Sequence, residues 1–253
     1  MIRNLSVNVI FGVGFMRMRK KKHGQDRLEA CREYLLVPTY RAFSDPSVEV
    51  FGESLPVYLE IGAGKGGFAI GMTEQNPNVA YFAMERVSDC VVLAAEKAKE
   101  TGRERLRFII DTADNLTRIF APGTVDAVFL NFSDPWSKKG YAKRRLTHAR
   151  YLAVYMSLLK DGGRLCFKTD NVGLFDFTLE QLDEVGLTLN KMTRDLHSSE
   201  WNVGNVVTEY EAAFSSQGVK INMLEVIKPE GFSLEIPKEL TPDRVSYKDG
   251  HEE

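Results

Sequence analysis

Between about residues 55 and 228 the sequence alternates short apolar runs with longer segments in which apolar residues recur at helical spacing. The short runs are rich in β-branched and aromatic residues, as buried strands are, and the longer segments are of helix length. Strands in strict alternation with helices predict right-handed crossovers and a parallel sheet with helices on both faces. The predicted strands are VYLEI, AYFAM, LRFII, VDAVFLNF and GRLCFK, and the predicted helices are GGFAIGMTEQ, residues 88–101 and the segments around Leu116 and Leu158.

The last part of this region changes in pattern. The segments LTLNKM, TEYEAAFSSQG and KINMLEVI predict a strand, a helix and a closing strand, which together favour an antiparallel edge. We therefore predict one doubly wound α/β domain over residues 55–230, with a mostly parallel sheet and an antiparallel closing strand.

The segments outside this domain differ from it in composition. Residues 1–15 match no motif, and because a strongly basic segment follows them they predict a disordered extension rather than a signal peptide. Residues 16–54 begin with the basic run MRMRKKKHGQDR and predict a basic arm with a helical lead-in. The polar, proline-interrupted residues 231–253 predict a mobile tail.

Charge and cysteine usage limit the possible partners. The 253 residues carry a formal net charge of -2, so a surface that binds nucleic acid must be local. The three cysteines lie far apart and form no metal-binding spacing, which predicts reduced thiols in a cytoplasmic protein without a bound metal. No apolar run approaches the ~18 residues needed to cross a bilayer, so we expect no membrane partner. Both a monomer and a homodimer remain open.

The segment LEIGAGKGGFA lies directly between the first predicted strand and the first predicted helix. Gly62, Gly64 and Gly66 would let the backbone turn tightly and approach a ligand, while the helix N-terminus offers free N–H groups. Such a loop at the first strand-to-helix turn of an α/β alternation predicts a cofactor site.

The charge of this loop indicates which cofactor it binds. Dinucleotide loops usually follow GxGxxG, whereas this loop has GxGxG with Glu60 before it. A carboxylate disfavours a pyrophosphate and suits S-adenosylmethionine, whose ammonium and sulfonium groups are cationic. Glu85, at the end of the second strand, is placed to accept hydrogen bonds from both ribose hydroxyls. After the third strand, Asp111, Thr112 or Ala113 would meet the adenine amino group.

The fourth predicted strand ends in the motif NFSDPW, at the edge where open α/β folds place their chemistry. Pro135 fixes the chain after Asp134 and so helps to direct this carboxylate into the crevice. Trp136 either stacks on a nucleobase or packs internally. The basic run from Lys138 to Arg145 follows at once, and its place beside the crevice predicts phosphate binding.

Taken in order and spacing, these motifs resemble those of the bacterial tRNA (guanine-N7-)-methyltransferases of the TrmB type. The resemblance covers about residues 16–228 and rests on MRMRKKK, EIGAGKGGFA, NFSDPWSKKGYAKRRL, FKTDN and TEYE. It implies a Rossmann-like, class I S-adenosylmethionine-dependent methyltransferase fold. It also implies S-adenosylmethionine as the methyl donor and guanine 46 of the tRNA variable loop as the acceptor.

The resemblance further implies roles for individual residues. Asp134 resembles the residue that is treated as catalytic in this family. The resemblance also implies that it lies next to the cofactor. Thr112 stands where the family usually has an acid, so Asp111 beside it is the alternative adenine contact. The implied cofactor ligands are Glu60, Gly62, Gly64, Glu85, Asp111, Thr112 and Asp134, and the implied substrate contacts are Lys138, Asp170, Thr208, Glu209, Tyr210 and Glu211.

The chemistry of this transfer requires positioning more than it requires a base. Guanine N7 carries an unprotonated lone pair and the sulfonium activates the methyl group, so the enzyme must mainly hold the two in line. Asp134 and Asp170 would accept hydrogen bonds from the N1–H and N2 amino groups of guanine, which adenine lacks. A nearby carboxylate would also stabilise positive charge that develops on the purine.

Three other functions share part of this pattern. A small-molecule or protein methyltransferase would share the cofactor loop but would not need two basic clusters. An NAD-dependent oxidoreductase would share the fold, but Glu60 and the loop spacing disfavour it. A non-catalytic RNA-binding module would keep the basic clusters without needing Glu60 and Glu85.

Overall fold

The computed structural model describes residues 21–242, and within them seven strands form one sheet. The strands are β1 (Val57–Ile61), β2 (Ala80–Met84), β3 (Leu106–Ile109), β4 (Val125–Asn131), β5 (Leu159–Thr169), β6 (Lys191–Thr193) and β7 (Asn222–Ile227). The α-helices are α1 (Gly24–Glu29), α2 (Pro46–Phe51), α3 (Gly67–Gln75), α4 (Ser88–Glu100), α5 (Leu116–Ile119), α6 (Ala149–Leu158), α7 (Val172–Glu184) and α8 (Glu209–Ser215).

The sheet has the strand order β3-β2-β1-β4-β5-β7-β6. Strands β1 to β5 are parallel, and β7 runs antiparallel to both β5 and β6. This confirms the predicted doubly wound, mostly parallel sheet with an antiparallel closing strand. The strand order reverses between β1 and β4, so the carboxyl ends of these strands border the crevice in which such folds bind ligands.

Helix α7 is an element that the sequence analysis did not predict. Two polar side chains interrupt its apolar face, and both are satisfied inside the protein. The Thr178 hydroxyl donates to the carbonyl of Leu174 at 2.7 Å and lies 2.8 Å from the hydroxyl of Thr147. The Gln181 carbonyl accepts from the backbone N–H of Ala149 at 2.9 Å. A hydrophobic pattern alone does not identify a helix whose buried face contains polar residues.

The two faces of the sheet bury separate cores, as the predicted covering by helices requires. All five residues of β2 are buried, and successive side chains point to opposite faces. Phe82 and Met84 join the core that includes α5, α6 and α7. Tyr81 and Ala83 join the core that includes α3, α4 and Leu28 of α1.

The lead-in to the sheet is docked on α4. Arg27 makes two hydrogen bonds to the carboxylate of Glu96, at 2.7 and 2.6 Å, and the backbone N–H of Lys21 donates to Asp89 at 2.7 Å. Arg27, which the sequence places in the basic arm, is therefore paired within the protein. The predicted extension and residues 16–20 of the arm lie outside the described residues.

The chain after β7 continues along the core. Phe232, Leu234 and Ile236 pack against it, and Leu240 is buried, with its carbonyl 2.5 Å from the Thr117 hydroxyl that donates to it. The described part of the segment predicted as a mobile tail, residues 231–242, thus contributes to the fold. The remainder, from residue 243, lies outside the described residues, and the domain boundaries remain predictions.

Gly66 is the position where the turn after β1 meets α4. Its φ is +75°, and a Cβ built on it would lie 2.7 Å from the Cβ of Ala94 and 3.2 Å from the ring of Phe108. Both the left-handed conformation and the close approach of α4 therefore require glycine here.

We expect Gly66→Ala to lower the free energy of unfolding by more than Gly52→Ala does, measured by urea denaturation. Gly52 has nearly the same φ, +74°, but nothing lies within 4 Å of its Cβ position. Both variants should lose about 1 kcal/mol from the left-handed backbone, and Gly66→Ala should lose about 1–3 kcal/mol more from overpacking. Equal decreases in the unfolding free energy of the two variants would show that α4 shifts to accommodate the added methyl group.

Candidate active site

The carboxyl ends of the parallel strands bring the predicted site residues to one edge of the sheet. Residues 62–66, the glycine loop, follow β1. Residues 131–136, the NFSDPW segment, contain the last residue of β4 and the turn after it. Glu85 and Asp170 come directly after β2 and β5. Motifs far apart in sequence thus share one crevice.

The glycine loop is fixed to the end of β2 by backbone hydrogen bonds. The N–H groups of Gly62 and Ala63 both donate to the carbonyl of Met84, at 2.8 and 3.0 Å. Gly62 and Gly64 have φ values of +84° and +55°, which residues with a Cβ rarely adopt. The nearest atom to a Cβ at Gly62 is 4.0 Å away and none lies within 4 Å at Gly64. A ligand can therefore approach this backbone closely.

Glu85 links the glycine loop to the start of α4. One carboxylate oxygen accepts from the N–H of Gly64 at 3.0 Å, and the other accepts from the N–H of Val87 at 2.9 Å. The side chain is partly exposed, and each oxygen retains a lone pair for a further donor. Its contact with ribose stays a prediction, and the geometry leaves room for it.

Glu60 is a buried residue of β1, whereas the charge argument from the sequence places its carboxylate against the cofactor. Glu60 is 2% exposed and shares a face of β1 with Tyr58, which packs against the core that includes α3. The Tyr81 hydroxyl and the Asn131 amide donate to its two oxygens, both at 3.3 Å. Burial raises the pKa of Glu60 to about 7, although these two hydrogen bonds oppose the shift. A direct contact with the cofactor remains a prediction.

After β3, Asp111 and Thr112, the two adenine contacts that the resemblance implies, lie in different environments. Asp111 accepts from the N–H of Thr112 and from the amide of Asn115, both at 2.7 Å. It also accepts from the hydroxyl of Tyr40 at 3.1 Å, and Arg118 lies over the Tyr40 ring at 4.2 Å. Asp111 is therefore held in place, whereas Thr112 is exposed. Sequence reasoning missed Tyr40, since nothing in the lead-in marks it.

The NFSDPW segment has strained backbone at both ends of its turn. Phe132 and Trp136 have φ values of +51° and +41°, in the left-handed region that bulky residues avoid. Such conformations persist where the surroundings impose them, and they concentrate at functional sites. Within the described residues, the buried hydroxyl of Ser133 has no hydrogen-bond partner. Asp134 pairs with Arg86 at 3.3 Å, and both side chains are substantially exposed.

An aromatic surface lies beside this segment. The rings of Phe132 and Tyr210 are 5.0 Å apart, and Tyr210 stacks on Phe214 at 4.3 Å. Burial raises the pKa of Tyr210, and the nearby Asp170 raises it further. Asp170 itself has a raised pKa because it is partly buried, and no cation of the described residues pairs with it within 4 Å. A carboxylate without an ion-pair partner among the described residues thus borders aromatic rings.

The four residues TEYE divide into two pairs with different environments. Thr208 and Glu211 form a reciprocal capping box at the start of α8. Glu211 is fully buried and pairs with Lys168 of β5 at 2.7 Å. Glu209 and Tyr210 are exposed, and Glu209 pairs with Lys97 of α4. Substrate contact stays a prediction for all four, of which Thr208 is half-buried and Glu211 has no exposed surface.

The cations of the basic run after the NFSDPW segment also differ in environment. Lys138, Lys139 and Lys143 are exposed, and none has an ion-pair partner within the described residues. Arg144 lies over the rings of Trp136 and Tyr141, at 5.1 and 4.8 Å. Arg145 points inward. The rings of Trp136 and Tyr141 meet edge to face at 5.8 Å, so Trp136 packs within the protein.

Comparison with known proteins decides the family. The family model described as "Putative methyltransferase" matches residues 54–224. A tRNA (guanine-N(7)-)-methyltransferase from Lachnoclostridium phytofermentans is 47% identical over 176 residues, which are 70% of this chain and 82% of that protein. The chain belongs to the tRNA (guanine-N7-)-methyltransferase family. This confirms the predicted resemblance and decides against an NAD-dependent oxidoreductase and a non-catalytic RNA-binding module.

Solved structures confirm the methyltransferase fold of this family member. An antibiotic-related methyltransferase is similar with a TM-score of 0.52 and 16% identity, over 76% of this chain and 98% of that chain. The 16S rRNA methyltransferase KamB is similar with a TM-score of 0.52 and 13% identity, over 85% of this chain and 97% of that chain. At these identities the likeness concerns the fold alone.

Neither a metal centre nor a membrane helix is found in residues 21–242. Their His, Cys, Asp and Glu side chains form no group that could hold a metal ion, and none of their helices is both long enough and apolar enough to cross a bilayer.

The raised pKa of Glu60 predicts a pH dependence of stability. The folded protein keeps the Glu60 proton up to about pH 7, whereas the unfolded chain releases it near the usual value of 4.5. The folded state binds more protons in this window, so stability should fall as the pH rises through it. Between pH 5.5 and 8 the wild type should therefore lose about 2 kcal/mol of unfolding free energy that Glu60→Gln does not lose, as measured by urea unfolding.

Glu100→Gln, at an exposed position of α4, is the matched control and should show the wild-type pH dependence. If Glu60→Gln also follows wild type, Glu60 is ionised throughout this range.

Proposed function

We propose that this protein transfers a methyl group from S-adenosylmethionine to N7 of guanine in tRNA, at guanine 46 of the variable loop. The observation that carries the proposal is the strained NFSDPW segment at the end of β4. This strand lies between β1, which the glycine loop follows, and β5, which Asp170 follows. Asp170 has no ion-pair partner among the described residues. A basic run continues directly from the NFSDPW segment. The residues that we propose for cofactor, base and phosphate contacts thus lie at one edge of the sheet.

The crevice fits the chemistry of S-adenosylmethionine. Open space faces Gly62 and Gly64, and the fixed carboxylates nearby, Glu85 and Asp111, suit a cofactor that carries positive charge and no phosphate. Glu85 would accept from the ribose, and Asp111, which Tyr40 and Asn115 orient, would accept from the adenine amino group more readily than Thr112. When bound, the cofactor supplies a methyl group that its sulfonium activates.

The residues around the NFSDPW segment suit guanine. Asp134 and Asp170 would accept from the N1–H and N2 amino groups, and adenine offers neither donor there. Tyr210 and Phe132 provide an aromatic surface on which the extruded base would stack. Since N7 needs no deprotonation, these contacts act by holding the base in line with the methyl group.

The inward-facing members of TEYE would act indirectly in this scheme. Glu211 has no exposed surface, so we assign Thr208 and Glu211 the task of fixing α8. This fixes in turn the position of Tyr210 against Phe132. Glu209, which packs against Gly67 at the start of α3, would lie between the cofactor and the substrate.

The exposed cations supply the remaining part of the tRNA site. Lys138, Lys139, Lys143 and Arg144 would contact phosphates of the RNA chain that carries the target base. The cytoplasm is the compartment we propose for this activity. Cys31, Cys90 and Cys166 are free thiols, as expected in a reducing compartment.

The proposal predicts the product of the reaction. Incubation of the protein with unmodified tRNA and labelled S-adenosylmethionine should yield 7-methylguanosine, and mass mapping of nuclease fragments should place it at guanine 46. Asp134→Asn should lower the rate about 100-fold or more, since it removes a charge that stabilises the developing positive charge.

Asp183→Asn is the control, because this exposed carboxylate of α7 lies outside the crevice, and it should retain wild-type activity. Label in a protein or a small molecule instead of tRNA would contradict the proposed substrate, and label at another tRNA guanine would contradict only the position.

A further inference from the structure

Arg145 is the last cation of the basic run, yet its guanidinium faces the protein. Its Nε donates to the carbonyl of Pro135 at 2.9 Å, and one terminal nitrogen donates to the carbonyl of Trp136 at 3.1 Å. The guanidinium lies 4.2 Å over the ring of Phe177 on α7. The side chain thus joins two successive carbonyls of the NFSDPW segment to a helix that covers the sheet.

Asp134 needs such support because its own side chain is weakly constrained. Its ion pair with Arg86 is 3.3 Å long, and the two side chains are 58% (Arg86) and 37% (Asp134) exposed. Pairs this open to solvent hold a side chain poorly. The direction of the Asp134 carboxylate therefore depends on the backbone that carries it.

That backbone is held at two points. At its start, the N–H of Phe132 donates to the carbonyl of Lys168 at 2.9 Å. At its end, the left-handed Trp136, with φ +41°, is fixed by the contacts of Arg145. A planar guanidinium can reach two carbonyls at once with fixed geometry, which an ammonium group cannot do.

We propose that Arg145 is a positioning residue for methyl transfer: it clamps the Pro135 and Trp136 carbonyls, and so directs Asp134, instead of contacting tRNA phosphate. The inference rests on the proposed function. Within one basic run, the exposed cations bind RNA and the last one holds the residues that act on the base.

The first test separates binding from turnover in the full-length protein. Arg145→Gln and Arg145→Lys should both lower kcat about 10- to 100-fold, because small misplacements of a positioned group are costly. Both should leave the salt dependence of tRNA binding unchanged. Neutralising Lys139, Lys143 and Arg144 together should raise the Kd and lower the slope of log K against log salt by about 0.7–0.9 per lost contact.

A second test needs no methylation. Trp136 and Trp201 are the two tryptophans of the chain, so Trp201→Phe leaves Trp136 as the reporter. Acrylamide should quench Trp136 more strongly when Arg145→Lys is added, because the loosened segment exposes the ring. Lys143→Gln, added instead, should leave quenching unchanged. Phe177→Leu removes the ring beneath the guanidinium. It should lower kcat and increase quenching as Arg145→Lys does, but by smaller amounts.

The outcomes distinguish the possible roles. Wild-type kcat and quenching in Arg145→Lys would overturn the clamp. The clamp would also be overturned if Arg145→Gln lowered the salt slope of tRNA binding by as much as each cation lost in the triple variant. If the wild-type protein forms no 7-methylguanosine in tRNA, the proposed function fails, while the quenching result still decides whether Arg145 holds the segment.

Discussion

The ion pair between Lys168 and Glu211 is the interaction on which the carboxyl edge of the sheet depends. The two side chains are 7% and 0% exposed, and the charged atoms lie 2.7 Å apart. The ammonium also donates to the side chain of Asn205 and the carbonyl of Val206, both at 3.0 Å. All three of its hydrogens are thus used, which a buried ammonium requires. Burial lowers the pKa of Lys168, and Glu211 opposes this shift.

This pair connects the parts of the site that lie furthest apart in sequence. Lys168 belongs to β5, and its backbone carbonyl also accepts from Phe132, the first left-handed residue of the NFSDPW segment. Glu211 completes the capping box of α8, which sets Tyr210 against Phe132. One buried contact therefore fixes both aromatic residues beside the proposed guanine site. Removing Glu211 would leave the buried ammonium of Lys168 without its counter-charge. Removing Lys168 would leave Glu211 with the amide of Asn205 and the imidazole of His197, at 2.9 and 3.1 Å.

Much of the fold follows from sequence because its signals are local. The glycine loop, the five parallel strands and the closing strand each show their own hydrophobic pattern or turn residues. The capping box was also present in the sequence, since TEYE has the form Thr-x-x-Glu at a helix start. That signal indicates a structural task for Thr208 and Glu211, which the family resemblance had assigned to substrate binding.

Other features depend on tertiary contacts and leave no local signal. Arg144 and Arg145 are adjacent and identical in type, yet Arg144 lies over the rings of Trp136 and Tyr141 while Arg145 binds backbone carbonyls. Tyr40 reaches Asp111 from a lead-in without a motif. Glu60 was correctly placed before the glycine loop, but its burial depends on Tyr81 and Asn131, which come from other strands.

A double-mutant cycle on Lys168→Met and Glu211→Gln, measured as free energies of unfolding in urea, tests most directly whether this pair holds the edge together. Each single variant should lose about 3–5 kcal/mol, because it leaves a buried charge or acceptor without its partner. The double variant should lose less than the sum of the two, with a coupling free energy of about 2 kcal/mol or more. Additive losses would contradict the account, since the two side chains would then act independently.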